Sequence, residues 1–139
     1  MSVNLPFFVL DSFAMLAYLN GENGMARVQE VMDQALHGDC QVILSIINLG
    51  EIIYITEREL GLAQAQAALA AIEQLPIEVL PATREAVLGA AHIKANHSVA
   101  YADAFAMAAA QEYNGVVLTG DPKFKVVEEL VVVEWLSEC

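Results

Sequence analysis

The sequence predicts an α/β protein with three layers (α/β/α), in which helices cover both faces of a central parallel sheet of four to five strands. Two observations predict this fold class. Short runs rich in Val, Ile and Leu lack clean alternation with polar residues, which is typical of strands buried on both faces. Helical stretches separate these runs, and strands that alternate with helices form a parallel sheet between helical layers.

Gly and Pro residues mark the breaks between the predicted elements. The predicted strands are residues 7–10, 41–45, 77–80 and 116–119, with a fifth at 130–134. The predicted helices are residues 12–19, 25–36, 46–59, 62–75, 83–94 and 99–113. Residues 62–75 are rich in Ala, and this helix is expected to run antiparallel to the one before it.

The length and composition predict one domain, residues 1–139, with a sizeable core. Hydrophobic residues make up 57% of the chain and charged residues 17%, which argues against disorder. The apolar stretches are too short for a membrane span, and the first residues lack the features of a secretory signal. Cys40 and Cys139 have no partners at disulfide or zinc spacing, so two free thiols favour a reducing cytoplasm.

The net charge sets a limit on function. A formal charge of −12 argues against a protein that holds nucleic acid by charge alone, because such proteins are basic. An acidic protein can still act on phosphates when divalent cations lie between its carboxylates and the substrate.

Two acidic residues follow predicted strands. Asp11 comes directly after the first strand, and Asp121 follows the fourth strand through Gly120. Either could simply cap a helix or form a turn. Both, however, belong to the carboxyl edge of a parallel sheet, where open α/β sheets bind their ligands. Thr119 adds a hydroxyl at the same edge.

Two further acids interrupt apolar helices. Glu51 shares a helical face with residues such as Ile47 and Ile55, and Asp103 is the one charge among the mostly small residues 99–108 of its predicted helix. A carboxylate on an apolar face needs a partner, because an unpaired buried charge is costly. A salt bridge to a distant base is the alternative, but the chain has only 6 Lys and Arg residues.

The four acids together predict a site of hard oxygen ligands, which suits Mg²⁺ or Mn²⁺. The reaction that such a site favours is the in-line hydrolysis of a phosphodiester.

Four segments carry a resemblance to a known family. They are Val9-Leu10-Asp11-Ser12, Leu44-Ser45-Ile46-Ile47-Asn48-Leu49-Gly50-Glu51, Tyr101-Ala102-Asp103-Ala104-Phe105-Ala106 and Leu118-Thr119-Gly120-Asp121-Pro122-Lys123-Phe124. In order, spacing and overall length the chain resembles the PIN-domain family, and within it the VapC-type toxins of toxin–antitoxin pairs.

The resemblance implies the three-layer fold and cleavage of RNA that depends on Mg²⁺ or Mn²⁺. It implies a homodimer and a tight antitoxin partner that blocks the site. It also implies roles for individual residues: Asp11, Glu51, Asp103 and Asp121 would be the catalytic and metal-binding acids, Thr119 would support Asp121, and Ser12 and Asn48 would help to orient ligands.

The charge departs from this pattern, because −12 is more acidic than an RNA-cleaving enzyme suggests. It favours a narrow substrate or a dependence on metal. Lys123 and Lys125, just after Asp121, are the expected phosphate contacts, although lysines in such loops are more commonly just solvated.

Three alternatives remain open at this stage. A phosphoaspartate-type α/β protein also places an Asp after the first strand, but the dehalogenase type needs a second Asp where Phe13 stands. A histidine-based ribonuclease would need paired imidazoles, and His37, His92 and His97 are not at helical spacing from one another. The third alternative is a binding module that keeps the PIN fold without catalysis.

Overall fold

The computed structural model describes residues 5–136, and within them the chain forms five strands and six α-helices. The strands are β1 (Phe7–Leu10), β2 (Gln41–Ser45), β3 (Glu78–Leu80), β4 (Val116–Thr119) and β5 (Val132–Trp135). The helices are α1 (Ser12–Leu19), α2 (Met25–Leu36), α3 (Ile46–Leu60), α4 (Leu62–Glu73), α5 (Arg84–Asn96) and α6 (Tyr101–Tyr113). A 3₁₀ helix, Pro122–Val127, lies between β4 and β5.

The five strands form one sheet in the order β3-β2-β1-β4-β5, and every neighbouring pair is parallel. The central strand β1 pairs Leu10 with Leu44 of β2 and with Leu118 of β4. The carboxyl ends of these three strands therefore lie at one edge of the sheet, close to the same level.

Helices cover both faces of the sheet. Val9, Ile43 and Val117 point to one face, where they pack with α5, α6 and the 3₁₀ helix. Successive residues of a strand point to opposite faces, so Leu10 and Leu44 pack on the other side with α1, α2, α3 and α4. The predicted three-layer α/β fold with a parallel sheet is confirmed.

The segment after β4 differs from the prediction. Residues 122–127, for which the sequence predicted no element, form the 3₁₀ helix, and β5 runs from Val132 to Trp135 instead of over 130–134. Phe124 and Val127 are both fully buried. Their spacing of three matches the three-residue turn of a 3₁₀ helix, so both side chains point into the core.

Two helices begin later than the sequence predicted. Helix α5 starts at Arg84 because the Thr83 hydroxyl accepts a hydrogen bond from the Ala86 amide at 3.1 Å and acts as the N-cap. Helix α6 starts at Tyr101 instead of residue 99, and Val99 is buried in the core ahead of it. The predicted end of the Ala-rich helix at residue 75 was also too late, since α4 ends at Glu73.

An ion pair connects helix α2 to the edge strand β5. Arg27 donates to both carboxylate oxygens of Glu134, at 2.5 and 3.0 Å, and also binds Glu30. The hydrogen bonds to Glu134 raise the pKa of Arg27 above its ordinary value, despite partial desolvation. One base therefore fixes the outermost strand against the helical layer.

Two further features concern the cysteines and the apolar helices. Cys40 is a buried free thiol, while Cys139 lies outside the described residues. Between residues 5 and 136, we find no helix whose length and apolar character would let it cross a membrane.

Phe124 should anchor the 3₁₀ helix, because its side chain is fully buried against α6. We expect Phe124→Ala to lower the free energy of unfolding by about 3–4 kcal/mol, since it removes a large core side chain and leaves a cavity. Val126→Ala, in the same 3₁₀ helix but half-exposed, is the matched control and should cost less than about 1 kcal/mol. Urea unfolding measures both, and equal losses would show that Phe124 is not an anchor.

Candidate active site

The sheet brings two of the predicted acids together. Asp11 directly follows β1, and Asp121 follows the neighbouring strand β4 through Gly120. Glu51 lies in the second turn of α3, which begins directly after β2. Asp103 lies in the first turn of α6. Three adjacent strands and the helix that packs across them thus direct the four acids to one edge of the sheet.

Asp11 is the most deeply buried of the four, with only 1% of its surface exposed. One carboxylate oxygen accepts a hydrogen bond from the Ala14 amide at 2.8 Å and caps α1, and the other accepts one from the Thr119 hydroxyl. Burial raises the pKa of Asp11 to about 7, and it outweighs these two hydrogen bonds, which act in the opposite direction. The charges of Asp103 and Asp121 raise the pKa further.

The Thr119 hydroxyl connects Asp11 to the start of the next loop. While it donates to Asp11, it accepts a hydrogen bond from the Asp121 amide at 3.0 Å. The side chain of Asp121 then accepts from the Lys123 amide at 3.0 Å and caps the 3₁₀ helix. Thr119 therefore supports Asp121 through the backbone and holds Asp11 through its carboxylate.

Asp103 interacts electrostatically with the other three acids. It is 8% exposed, and burial raises its pKa to about 6. The charges of Asp121 and Glu51 add to this rise, while Lys123 opposes it. Because Asp103 also raises the pKa of Asp11, the four carboxylates share one electrostatic environment.

Asn48 holds three helices of the site in place. Its amide nitrogen donates to the Ser12 hydroxyl at 3.2 Å and to the Ala102 carbonyl at 3.1 Å, and the Ser12 hydroxyl donates back to the Asn48 carbonyl at 3.4 Å. These contacts join α1, α3 and α6 next to Asp11, Glu51 and Asp103. The side-chain oxygen of Asn48 is buried, and among residues 5–136 no group hydrogen-bonds to it.

Glu51 is less buried than the sequence predicted. The expectation was a carboxylate on an apolar face, but Glu51 is half-exposed and Tyr54, on the same face, is mostly exposed. Arg58 lies over the Tyr54 ring, 5.6 Å from its centre, so that part of α3 faces solvent. The prediction therefore overestimated the burial of Glu51, although the charge of Glu51 does raise the pKa of Asp103.

None of the four acids forms an ion pair with a basic side chain within the part of the chain that the structure describes. The ion pairs found there join Arg27 to Glu30 and Glu134, and Arg58 to Glu59. The alternative of an ordinary salt bridge for these acids is thus not supported.

Hard carboxylate oxygens and the unpaired Asn48 oxygen are donors that suit Mg²⁺ or Mn²⁺. As placed across residues 5–136, however, no three Asp, Glu, His or Cys side chains are grouped so as to hold a metal ion. The chemistry of the donor set fits a divalent cation, and binding one would require some of these side chains to move inward.

The remaining candidates fall into two groups. Lys123 lies close enough to lower the pKa of Asp103, whereas Lys125 is exposed in the last turn of the 3₁₀ helix. His37 and His97 contact backbone carbonyls of their own helices, and His92 is exposed. The histidines thus lie at the end of α2, within α5 and at the end of α5. This arrangement does not favour a histidine-based ribonuclease.

Comparison with known proteins identifies the family. A PIN domain family model matches residues 8–130. The chain belongs to the PIN domain family. No curated protein sequence matches this PIN domain.

Solved structures share the fold at low sequence identity. A chain of VapBC2 from Rickettsia felis, solved with a promoter DNA fragment, is 15% identical and covers 94% of this PIN domain and 99% of its own length, with a TM-score of 0.74. A chain of the DNA-bound VapBC from Salmonella typhimurium is 20% identical, covers 94% and 98%, and has a TM-score of 0.73. The Mycobacterium tuberculosis VapC20, a sarcin-ricin loop cleaving toxin, is 17% identical, covers 95% and 98%, and has a TM-score of 0.67.

Sequence reasoning missed one residue of this PIN domain's site. Phe13, two residues after Asp11, leaves 42% of its surface exposed, and its ring lies against Gly120. A Cβ atom at Gly120 would overlap the Phe13 ring, so a larger residue at position 120 would force the ring to move. The sequence signal was an aromatic residue at an exposed position in the first turn of α1.

The acidic site predicts how the stability of the metal-free protein depends on pH. The pKa values of Asp11 and Asp103, about 7 and about 6, exceed the ordinary value of 3.8, so the folded state binds protons more tightly than the unfolded chain. This contribution is fully present below pH 4 and is lost as the pH rises through 6 to 7. Between pH 5 and pH 8, with chelator, we expect the free energy of unfolding to fall.

Asp103→Asn should reduce the fall in the free energy of unfolding between pH 5 and pH 8. At pH 8 it should stabilise the metal-free protein by about 1–2 kcal/mol. Its stability at pH 5 should change less. Asp39→Asn, at an exposed position after α2, is the control and should have little effect at either pH. Urea unfolding at both pH values decides the matter: an Asp103→Asn protein that is less stable at pH 8 would show that the carboxylate has a favourable partner.

Proposed function

We propose that this PIN domain is a ribonuclease that depends on Mg²⁺ or Mn²⁺ and uses Asp11, Glu51, Asp103 and Asp121 as ligands of the cation. The observation that carries the proposal is the group of four interacting carboxylates, none of which forms an ion pair within residues 5–136, and in which burial and mutual repulsion raise two pKa values towards neutrality. Such a cluster is stable in the ionised form only when positive charge enters it. A divalent cation is the entity that this chemistry fits.

The family supports RNA as the substrate. The Mycobacterium tuberculosis neighbour, which shares the fold, is a toxin that cleaves the sarcin-ricin loop, a segment of RNA. We therefore propose that this chain is the toxin of a type II toxin–antitoxin pair. Membership of the PIN family also removes the ground for a phosphoaspartate-type protein.

The residues of the chain have separable roles in this proposal. When bound, a divalent cation supplies positive charge that offsets the repulsion between carboxylates and an RNA phosphate, and it polarises the phosphodiester. Thr119 holds Asp11 in one orientation, and Asn48 fixes the helices that carry Glu51 and Asp103. Lys123, which already reaches Asp103 electrostatically, is placed to contact a phosphate oxygen.

Asp11→Asn, Glu51→Gln and Asp103→Asn should each reduce divalent-dependent cleavage of single-stranded RNA by at least about 100-fold. Each amide keeps the shape of the side chain but removes its charge, so cation binding should weaken as well. In the wild type, millimolar Mn²⁺ should raise the melting temperature more at pH 8 than at pH 5, because protons compete for the same oxygens. That rise should shrink in all three variants.

Two controls accompany this experiment. Glu57→Gln, at an exposed position of α3, should keep full activity, and so should the triple variant of His37, His92 and His97 to Gln. Wild-type activity in any of the three acid variants would remove that acid from the site. A wild type that binds RNA with Mn²⁺ present but never cleaves it would instead favour the catalytically silent binding module.

We also propose an antitoxin partner that covers the acidic edge with Arg or Lys side chains. Several structural neighbours are VapBC toxin–antitoxin complexes, and the four acids give this edge a negative charge for a partner to neutralise. Homodimerisation stays a prediction from the family resemblance, and a cytoplasmic location stays a prediction from the two cysteines.

The partner proposal can be tested with the product of the adjacent gene. Co-expression should yield a complex that no longer cleaves RNA, and replacing the basic residues of the partner's tail with Gln should restore most of the cleavage. If the partner still binds and inhibits with the same affinity after the basic residues of its tail are replaced, the charge-based mechanism is contradicted.

A further inference from the structure

We infer that Phe13 is the stacking platform for an unstacked nucleobase next to the scissile phosphate of the RNA. This inference rests on the proposed function, because it assumes that RNA is brought to the four acids. It begins with the position of the Phe13 ring, which is exposed at 42% although it packs against Gly120, the residue between Thr119 and Asp121.

The ring is adjacent to the acidic site on one side. It fills the space above Gly120, where a Cβ atom would meet ring atoms at 2.3 and 2.6 Å. Gly120 lies between Thr119, which donates to Asp11, and Asp121. A group stacked on Phe13 is therefore next to the point where a phosphodiester has to reach the acids.

Phe13 also lines a cavity. Phe13, Leu16 and Ala17 form its apolar wall, and Glu22 and Asn23 form its polar end. The volume is about 350 Å³, at the lower end of the range in which proteins bind small molecules. Apolar walls with a few polar groups at one end suit a flat heterocycle that has polar edges.

The charge of the protein favours a stacked base over other ways of binding RNA. At −12, the chain as a whole repels RNA beyond the contacts of the cation and Lys123, so contacts that do not depend on charge become more important for affinity. Stacking of a base on an aromatic side chain is such a contact. A base inside a duplex is already stacked on both sides and cannot enter, which excludes double-stranded RNA.

The polar end adds a preference among bases. The carboxylate of Glu22, when ionised, only accepts hydrogen bonds, and it is exposed at the end of the cavity. Adenine, cytosine and guanine carry an exocyclic amino group that can donate to it, whereas uracil does not. The cavity should therefore favour bases with an amino group.

The test is direct binding with Ca²⁺ in place of Mg²⁺ or Mn²⁺, so that a divalent cation still screens the four carboxylates while cleavage is suppressed. The probe is a short single-stranded RNA that carries 2-aminopurine, a fluorescent base with an exocyclic amino group whose emission is quenched by stacking. Wild type should quench the probe on binding. Phe13→Leu should weaken binding about tenfold and abolish the quenching, and Phe13→Trp should restore both.

Matched measurements separate this effect from loss of structure. Leu88→Ala removes a half-exposed apolar side chain from α5, in the opposite layer, and should leave binding unchanged. Glu22→Gln should reduce the preference for the amino-bearing base over uracil. All variants should show melting temperatures close to that of the wild type.

The outcomes distinguish this inference from the proposed function. If the wild type cleaves RNA and Phe13→Leu has the same affinity and the same KM, stacking on Phe13 is wrong while the nuclease stands. If the wild type binds the probe through Phe13 but never cleaves RNA, the platform stands and the nuclease is wrong. Equal affinity for a duplex of the same sequence overturns the inference. A Phe13→Leu variant that binds RNA like the wild type but no longer binds a protein partner overturns it as well.

Discussion

The hydrogen bonds of one hydroxyl group determine the arrangement of the acidic edge. Thr119 ends β4, donates to the carboxylate of Asp11 at the end of β1 and accepts from the backbone of Asp121. Parallel pairing of β1 with β4 puts these groups within reach of one another, because it brings both carboxyl ends to the same edge. Without this contact Asp11 would be a buried carboxylate bound only to the start of its own helix, and the loop that carries Asp121 would lose its connection to the sheet.

The positions of the basic residues also determine the charge of the acidic edge. Only 6 Lys and Arg residues are present, and three of them have partners away from the acids: Arg27 at the edge strand, Lys94 at the Val99 carbonyl and Arg58 over a tyrosine ring. Lys123 is the base whose effect on the site is visible, through the pKa of Asp103. The fold thus concentrates negative charge at one edge and leaves it for a cation, a substrate contact or a protein partner to balance.

Much of this arrangement could be predicted from the sequence. Strands buried on both faces leave a strong signal, since most of their residues are apolar, and four of them were placed within a residue of their limits. Asp103 stood out because a charge inside a small-residue helix is costly without a partner.

Other features depend on tertiary contacts that no local pattern shows. The 3₁₀ helix exists because Phe124 and Val127 reach the core together, and the partial exposure of Glu51 depends on how α3 leaves the sheet. The contact between Phe13 and Gly120 joins residues that are distant in sequence, and each of them alone is ordinary. Their significance appears only when the neighbouring strand ends bring them together.

The ion pair between Arg27 and Glu134 has a consequence for self-association. Strand β5 is the last strand of its sheet, and Val132 on it is mostly exposed, so its outer backbone could template a further strand from another molecule. The ion pair fixes charged side chains on this short edge strand. Pairing of a further strand with β5 is therefore unfavourable, because the incoming chain would have to accommodate those charged side chains. The opposite edge is protected differently, since β3 has only three residues to offer. A small domain with an apolar core can in this way remain resistant to amyloid-like stacking at both ends of its sheet.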